Sequence, residues 1–312
     1  MAVMIKTVNL TKRYGSLVAL SNLNLEIHEG DCFGFIGPNG AGKSTTIKIL
    51  ATLLQPTWGE ARVCDFVVGY QSRQIRPLIG YVPDYFGAYE DMVVQEYLEF
   101  FAAAYNINGV ERNKVVEQVL DLTDLGYKRD APVDGLSRGM KQRLSIARVL
   151  LHDPKVLLLD EPAGNLDPRA RIEMRELLKE LQRMGKTILI SSHILPELQD
   201  LCNKVGIIEQ GELIYSGPWT DIVRKARGGM ILHVGVAEGE EVRAATLLSE
   251  DENVESVNPL DSYMEVSLKD GVTDYSFVPA KLLASGMKLR LLKEEEVNLE
   301  TAFMRLTKGM VQ

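Results

Sequence analysis

A glycine-rich segment with one lysine and two hydroxyl side chains follows an apolar run near the start of the chain. Residues 37–45 come after the apolar residues 32–36 and before a helical pattern over 45–54. Glycines let successive backbone N–H groups turn inward, and a helix N-terminus adds partial positive charge, so the pattern predicts a phosphate-binding loop. The side chain of Lys43 is placed for the β- and γ-phosphates of a nucleotide, and the Ser44 hydroxyl for Mg²⁺. The residues expected to contact the nucleotide are Gly37, Pro38, Asn39, Gly40, Ala41, Gly42, Lys43, Ser44 and Thr45.

A pair of carboxylates ends a second apolar run. Residues 156–159 are all apolar and lead directly into Asp160 and Glu161. This is the pattern of a strand that is buried on both faces and carries its acidic side chains at the carboxyl end. We expect Asp160 to hold Mg²⁺ directly or through water, and Glu161 to polarise the water that attacks a phosphate. A core strand with a solvated acidic turn would explain the pair alone, but beside a phosphate loop the pair favours phosphoryl transfer.

A third motif opens an amphipathic helix. Residues 136–143 read Leu-Ser-Arg-Gly-Met-Lys-Gln-Arg, the helical pattern continues to about residue 151, and Ser137 is the predicted N-cap. Here the chain resembles the ATP-binding cassette (ABC) ATPases, whose signature reads Leu-Ser-Gly-Gly-Gln just before the Asp-Glu strand. Ser137 and Gly139 match that signature, whereas Arg138 and Met140 depart from it. The resemblance implies that Ser137 and Gly139 contact the γ-phosphate of ATP bound by a second copy of the chain.

Further positions match the same family in order. The resemblance implies that Tyr14 stacks on adenine and that Asp167 lies in a loop at the dimer interface. His193 follows another apolar run and matches the histidine that contacts the γ-phosphate, which makes it a catalytic residue together with Glu161. The family has a glutamine after a segment like Ile-Gly-Tyr-Val-Pro, where this chain has Asp84. Because aspartate is shorter and charged, we expect Asp84 to contact Mg²⁺ directly or through water.

Composition narrows the classes of protein that these motifs could serve. The 312 residues carry a formal net charge of −8, and from Lys225 onward ten Lys and Arg stand against fifteen Asp and Glu, which argues against nucleic-acid binding. The three cysteines are odd in number and lack metal-site spacing, so they indicate neither a zinc site nor a disulfide framework. No apolar run approaches the ~20 residues that cross a bilayer. We therefore expect a cytoplasmic protein held at the cytoplasmic face of the membrane by separate integral membrane permease subunits.

The elements that must position these residues fall into two domains. Alternating stretches over residues 4–27 predict an antiparallel strand pair, buried runs predict a parallel core sheet, and helical patterns fill a subdomain over about 85–151. The predicted fold class is therefore α/β, with the P-loop NTPase fold of ABC ATPases over residues 1–224. Residues 225–312 follow the order β-α-β-β-α-β, which predicts a small ferredoxin-like α+β domain with an accessory or regulatory role. A closing helix is expected over 298–307.

Together these motifs predict an ATP-binding and ATP-hydrolysing subunit of an ABC-2 type transport system, in the exporter class. Two copies are expected to sandwich ATP and Mg²⁺, and closure of the dimer would drive the membrane subunits. A soluble ABC ATPase that acts on ribosomes or chromosomes is an alternative, although the chain has one cassette and lacks sustained heptads. A nucleotide sensor without a transport role is a second alternative, because Asp84 departs from the family pattern. The motifs do not identify a transported substrate, since the membrane subunits select it.

Overall fold

The computed structural model describes residues 2–84, 87, 91–226, 230–260, 262–269 and 271–295. The first compact unit ends at Trp219 and the second begins at Thr220, whereas the sequence placed the domain boundary between 224 and 225. The closing helix expected over 298–307 lies outside the described residues. None of the helices in the described ranges combines the length and apolar character that a bilayer crossing requires.

The first unit contains two sheets and a group of helices. Its strands are β1 Val3–Tyr14, β2 Leu17–His28, β3 Cys32–Ile36, β4 Trp58–Val63, β5 Phe66–Val67, β6 Ile79–Val82, β7 Val156–Asp160, β8 Thr187–Ser192, β9 Lys204–Glu209 and β10 Glu212–Pro218. Its helices are α1 Lys43–Leu50, α2 Ser72–Ile75, α3 Val94–Ala104, α4 Gly109–Leu122, α5 Arg138–Leu150, α6 Pro168–Arg183 and α7 Leu195–Gln199. A further helix, α8 Trp219–Ala226, begins at the last residue of this unit.

The central sheet has the strand order β10-β9-β3-β8-β7-β6, and the pairs from β9 to β6 are parallel. Every residue of β3, β7 and β8 is buried, as continuous apolar runs in a parallel sheet require. The register pairs Ile36 with Ser192 and Asp160 with Ser191. The carboxyl ends of these three strands therefore meet at one edge of the sheet, and the predicted parallel core is confirmed.

The second sheet covers the core with antiparallel strands in the order β2-β1-β4-β5. β1 and β2 pair from Val3 opposite His28 to Tyr14 opposite Leu17, which confirms the predicted strand pair. Apolar side chains of this sheet, such as Ile5 and Leu23, join one buried cluster with Phe33 of β3 and Ile47 of α1. The antiparallel sheet is thus packed on the core that carries the phosphate loop.

Helices α3, α4 and α5 occupy the region predicted to be helical. Arg143 of α5 is buried, and its guanidinium donates to the carbonyl of Thr123 at 3.1 Å and lies 3.4 Å from the carboxylate of Glu173 on α6. This one side chain links α5 to the end of α4 on one side and to α6 on the other. The start of α5 is therefore held in place from within the chain.

The second unit has the element order that the sequence predicted. Its strands are β11 Ile231–Val236, β12 Val254–Pro259, β13 Met264–Leu268 and β14 Leu289–Glu294, and its helices are α9 Glu241–Ser249 and α10 Phe277–Ala284. The sheet order is β12-β13-β11-β14, with antiparallel pairs throughout, and both helices contribute to a buried core that includes Leu248 and Leu282. The ferredoxin-like split βαβ arrangement is confirmed.

Candidate active site

The loop between β3 and α1 takes a shape that glycine makes possible. Gly42, which precedes α1, has a φ of +109°, a conformation that residues with a side chain rarely adopt. A Cβ added at Gly37 would lie 2.2 Å from the backbone oxygen of Ile208 on β9, so a side chain at this position would collide with the sheet. The loop therefore turns tightly at the sheet edge, and α1 begins with its N-terminus at the same edge.

Lys43 is the first residue of α1, and its buried ammonium folds back over the loop. Its Nζ donates to the carbonyl oxygens of Gly37 at 2.7 Å and Pro38 at 3.2 Å. The same Nζ lies 3.4 Å from Oε1 of Glu161. The lysine thus brings a full positive charge to the sheet edge, where it faces both the loop and the carboxylate predicted to be the general base.

Asp160 and Ser44 form an oxygen pair beside this lysine. The Ser44 hydroxyl donates to Oδ1 of Asp160 at 3.0 Å, and Asp160, the last residue of β7, is buried. Hard divalent cations prefer hydroxyl and carboxylate oxygens, and Mg²⁺ is commonly held by one or two such groups together with phosphates. The donor set therefore fits the Mg²⁺ that the sequence predicted at Ser44 and Asp160.

Glu161 and His193 form a second pair at the same edge. Glu161 has a φ of +50°, so it turns away from the direction of β7. Its Oε2 lies 2.8 Å from Nδ1 of His193, which donates to the carboxylate. His193 follows β8, and its side chain is 49% exposed while that of Glu161 is 14% exposed. The imidazole therefore orients the carboxylate from the solvent side.

Asp84 lies two residues after β6 and adds a third carboxylate. Burial, and then repulsion from Asp160 and Glu161, raises the pKa of Asp84, while His193 opposes that shift. Burial and the nearby Asp160 and Asp84 also raise the pKa of Tyr81 to about 12. Burial is the largest cause of both pKa shifts, and repulsion from neighbouring carboxylates adds to it; a bound cation would relieve that repulsion.

A cavity of 500 Å³ joins these groups. Its lining residues are Asn39, Gly40, Ala41, Gly42, Lys43, Ser44, Thr45, Asp84, Glu161, Gly164, Asn165 and His193. The structure thus brings most of the predicted loop residues together with the two predicted catalytic residues and Asp84. Gly164 and Asn165, in the loop before Asp167, also line the cavity although the sequence analysis gave them no role, and their place there depends on the turn after Glu161.

Seven predicted residues are absent from the described lining of this cavity: Tyr14, Gly37, Pro38, Ser137, Gly139, Asp160 and Asp167. Tyr14 ends β1 and is half exposed. The Ser137 hydroxyl caps α5 by accepting from the N–H of Met140 at 3.3 Å, and the Asp167 carboxylate caps α6 by accepting from the N–H of Ala170 at 3.0 Å. Within one chain, these two side chains therefore begin helices.

Ser191 is a residue at the carboxylates to which the sequence analysis gave no role. It is fully buried on β8, and its hydroxyl contacts both Asp160 and Glu161. The only sequence signal was its place two residues before His193 at the end of an apolar run. The contact itself depends on the register between β7 and β8.

Known proteins are similar to this chain in sequence and in fold. Residues 20–164 match the family described as ABC transporter. The linearmycin resistance ATP-binding protein LnrL of Bacillus subtilis is 31% identical over 305 residues, which cover 97% of this chain and 98% of that protein. The Nod factor export ATP-binding protein I of Cupriavidus metallidurans is 34% identical over 311 residues, 98% of each chain.

Solved structures match about seven tenths of the chain. The protein cbiO1 from Clostridium perfringens, part of the ABC transporter complex cbiONQ, is 29% identical with a TM-score of 0.65, over 73% of this chain and 95% of its own. A dimeric ATP-binding cassette in a post-hydrolysis state, bound to ADP and Pi, is 29% identical with a TM-score of 0.62, over 69% of this chain and 98% of its own.

Proposed function

The chain belongs to the ABC transporter family as an ATP-binding and ATP-hydrolysing protein, and on this premise we propose that two copies of it close around ATP to power an exporter. The observation that carries the proposal is the single cavity that joins Lys43, Ser44, Glu161 and His193 beside Asp160. A phosphate loop, an oxygen pair for Mg²⁺ and a carboxylate oriented by an imidazole are the groups that hydrolysis of a nucleoside triphosphate requires.

Each group has a defined task in this proposal. Lys43 leaves the carbonyls of its own loop and binds the β- and γ-phosphates, while the N-terminus of α1 supplies further positive potential. Ser44 and Asp160 would hold Mg²⁺, which would supply positive charge to neutralise the phosphate oxygens. Glu161 accepts a proton from the attacking water, and His193 keeps its carboxylate in place through Nδ1. Asp84 contributes to the metal side of the cavity, directly or through water.

A second copy of the chain completes the site. In this arrangement Ser137 and Gly139 present the N-terminus of α5 to the γ-phosphate bound by the partner, and Asp167 crosses the interface beside them. Tyr14 stacks on adenine. The dimeric relative bound to ADP and Pi supports such an assembly.

Separate integral membrane permease subunits form the path for the substrate. The names of two relatives, one for Nod factor export and one for linearmycin resistance, support an exporter of the ABC-2 type. This chain would then lie at the cytoplasmic face of the membrane, bound to those subunits.

ATP-dependent dimerisation tests the proposal. Glu161→Gln keeps the size of the side chain but removes the base, so with ATP and Mg²⁺ it should stop before hydrolysis and remain dimeric in light scattering. Lys43→Ala is the matched control, since it should stay monomeric at the same ATP concentration because it binds ATP weakly. If Glu161→Gln remained monomeric at saturating ATP, the model of a dimer closed around ATP would be refuted. ATP-driven dimerisation with no steady-state hydrolysis by the parent, alone or with its permease, would favour a nucleotide sensor instead.

A further inference from the structure

The hydroxyl of Ser191 holds two parts of the catalytic carboxylate pair at once. Its Oγ donates to Oδ1 of Asp160 at 2.8 Å, and the backbone N–H of Glu161 donates to the same Oγ at 2.9 Å. A hydroxyl has one proton and two lone pairs, so it can serve both partners in these directions. The side chain is fully buried, which excludes water as a routine substitute.

The fold explains why this hydroxyl is needed. The parallel register places Ser191 directly beside Asp160, the last residue of β7. Glu161 then turns out of the strand with a φ of +50°, a conformation that is unfavourable for a residue with a side chain. The backbone N–H of Glu161 donates to the hydroxyl of Ser191. Ser191 therefore stabilises the turn that directs the Glu161 side chain toward the cavity.

We propose that Ser191 is a positioning residue for ATP hydrolysis. It fixes the carboxylate of Asp160 in the orientation that serves Mg²⁺, and it fixes the backbone of Glu161 so that its carboxylate faces the attacking water. Ser44 also donates to Oδ1 of Asp160, but that hydroxyl is expected to serve Mg²⁺ when nucleotide binds, whereas Ser191 keeps its place. His193 holds the other end of Glu161, so the base is fixed at its backbone and at its carboxylate.

The hydroxyl of the next residue, Ser192, has different partners. Ser192 accepts from the N–H of Ile194 at 3.0 Å and lies 3.5 Å from the carboxylate of Glu197. It therefore shapes the turn that follows β8. Of these two neighbouring hydroxyls, the one on Ser191 contacts both Asp160 and Glu161.

Three substitutions separate positioning from packing. Ser191→Ala removes both hydrogen bonds, and Ser191→Cys keeps the volume but leaves a weak donor and acceptor. We expect kcat to fall about 10- to 100-fold in both, as for loss of a hydrogen bond to a charged group. Ser191→Thr restores the hydroxyl on a β-branched side chain, a type of residue that strands accommodate well. We expect its kcat within about threefold of the parent, because both hydrogen bonds can be retained.

The readouts include quantities other than turnover. Without Mg²⁺, the Kd of a fluorescent ATP analogue should stay within about twofold of the parent in all three variants, because the phosphate loop is unchanged. With Mn²⁺ in place of Mg²⁺, spin-resonance titration of the ATP complex should show weaker metal binding for Ser191→Ala and Ser191→Cys, and parent-like binding for Ser191→Thr. Ser145→Ala is the matched control, since Ser145 is buried on α5 and its hydroxyl has no hydrogen-bond partner among the described residues.

The outcomes decide the proposal. A parent-like kcat for Ser191→Cys would overturn it, even if Ser191→Ala failed to fold. Equal loss of kcat in Ser191→Thr and Ser191→Ala, with equally lowered melting temperatures, would also overturn it and assign Ser191 a packing role. A low kcat for Ser191→Ala and Ser191→Cys, rescued by Ser191→Thr and absent from Ser145→Ala, supports it.

Discussion

Replacing Gly139 by alanine sets helix propensity against helix packing. A Cβ added at Gly139 on α5 would lie 2.7 Å from the Cβ of Ala170 on α6. Carbon atoms in contact are normally about 3.5–4.0 Å apart, so the two helices must separate locally by about 1 Å. Propensity alone predicts the opposite effect, because alanine favours a helix over glycine by roughly 0.5–1 kcal/mol.

We expect packing to dominate. Overpacking a close contact costs about 1–3 kcal/mol, and Arg143 prevents easy retreat because it ties α5 to Thr123 and to Glu173 on α6. With about 0.5 kcal/mol returned by propensity near the helix start, the free energy of unfolding should fall by about 1.5 kcal/mol. For a unit of this size, that corresponds to a melting temperature lower by about 3–6 °C.

The assay is a double-mutant cycle with Ala170→Gly. In that background the added methyl group meets no Cβ, so Gly139→Ala should stabilise by about 0.5 kcal/mol and the coupling energy should be about 2 kcal/mol. The cap at Asp167 uses the backbone N–H of residue 170, which glycine keeps. Both tryptophans, Trp58 and Trp219, lie in the first unit, so tryptophan fluorescence during urea unfolding reports on that unit.

Two results would refute this reasoning. One is a Gly139→Ala variant as stable as the parent while Ala170 is present. The other is the same change in unfolding free energy in both backgrounds, which would show that the two positions do not interact. A coupling energy of about 2 kcal/mol would mean that glycine is required at position 139 for helix packing inside one chain, in addition to any contact with a nucleotide bound by a partner.

Four further predictions concern charge and domain structure. Lys43→Ala should raise the Kd for ATP at least about 100-fold, because charge-assisted hydrogen bonds to phosphate are lost, and an unchanged Kd in a fluorescence titration would contradict the assignment. Because burial, and then Asp160 and Glu161, raise the pKa of Asp84 above 3.8, the parent should lose stability relative to Asp84→Asn as pH rises from 3.8 through the raised value. A difference in urea midpoint that is constant with pH would reject this. Asp84→Ala should leave the Kd for ATP nearly intact and lower kcat about tenfold. A chain ending at Ala226 should still bind ATP, and a soluble truncated chain without affinity would show that the second unit contributes to the site.

Local sequence patterns predicted the strands and helices that can be recognised from their own residues alone, without knowledge of the elements that pack against them. The apolar runs of β7 and β8 are continuous because both faces of these strands are covered, and they were recognised for that reason. The second unit was predicted element by element because alternation and turns recur there at short spacing. Helix α6 was missed, although Met174, Leu178 and Leu181 give it a buried stripe. Asp167 and Pro168 form a strong helix start, but Asp167 had been interpreted only as an interface residue.

The residues of the site also fall into two groups, those that local sequence predicts and those that depend on tertiary contacts. The loop, Lys43 and the pair Asp160 and Glu161 are adjacent in sequence or end a recognisable strand, so their chemistry follows from local order. Ser191 becomes part of the site only through the register between two strands, and a register is fixed by packing rather than by either strand alone. The intrachain reason for Gly139 is equally non-local, because it depends on how closely α5 approaches α6.

The charges around the cavity explain why these non-local contacts matter. Burial, and then repulsion from Asp160 and Glu161, raises the pKa of Asp84, and the ammonium of Lys43 lies 3.4 Å from the carboxylate of Glu161. A triphosphate brings more negative charge to the same edge, so its binding depends on the N-terminus of α1, on Lys43 and on a cation held by Ser44 and Asp160. Carboxylates under mutual repulsion would turn away from productive positions unless short hydrogen bonds held them. The hydroxyls of Ser44 and Ser191 donate such hydrogen bonds to Asp160, and the imidazole of His193 donates one to Glu161. These bonds hold the carboxylates in the positions that hydrolysis needs despite their mutual repulsion.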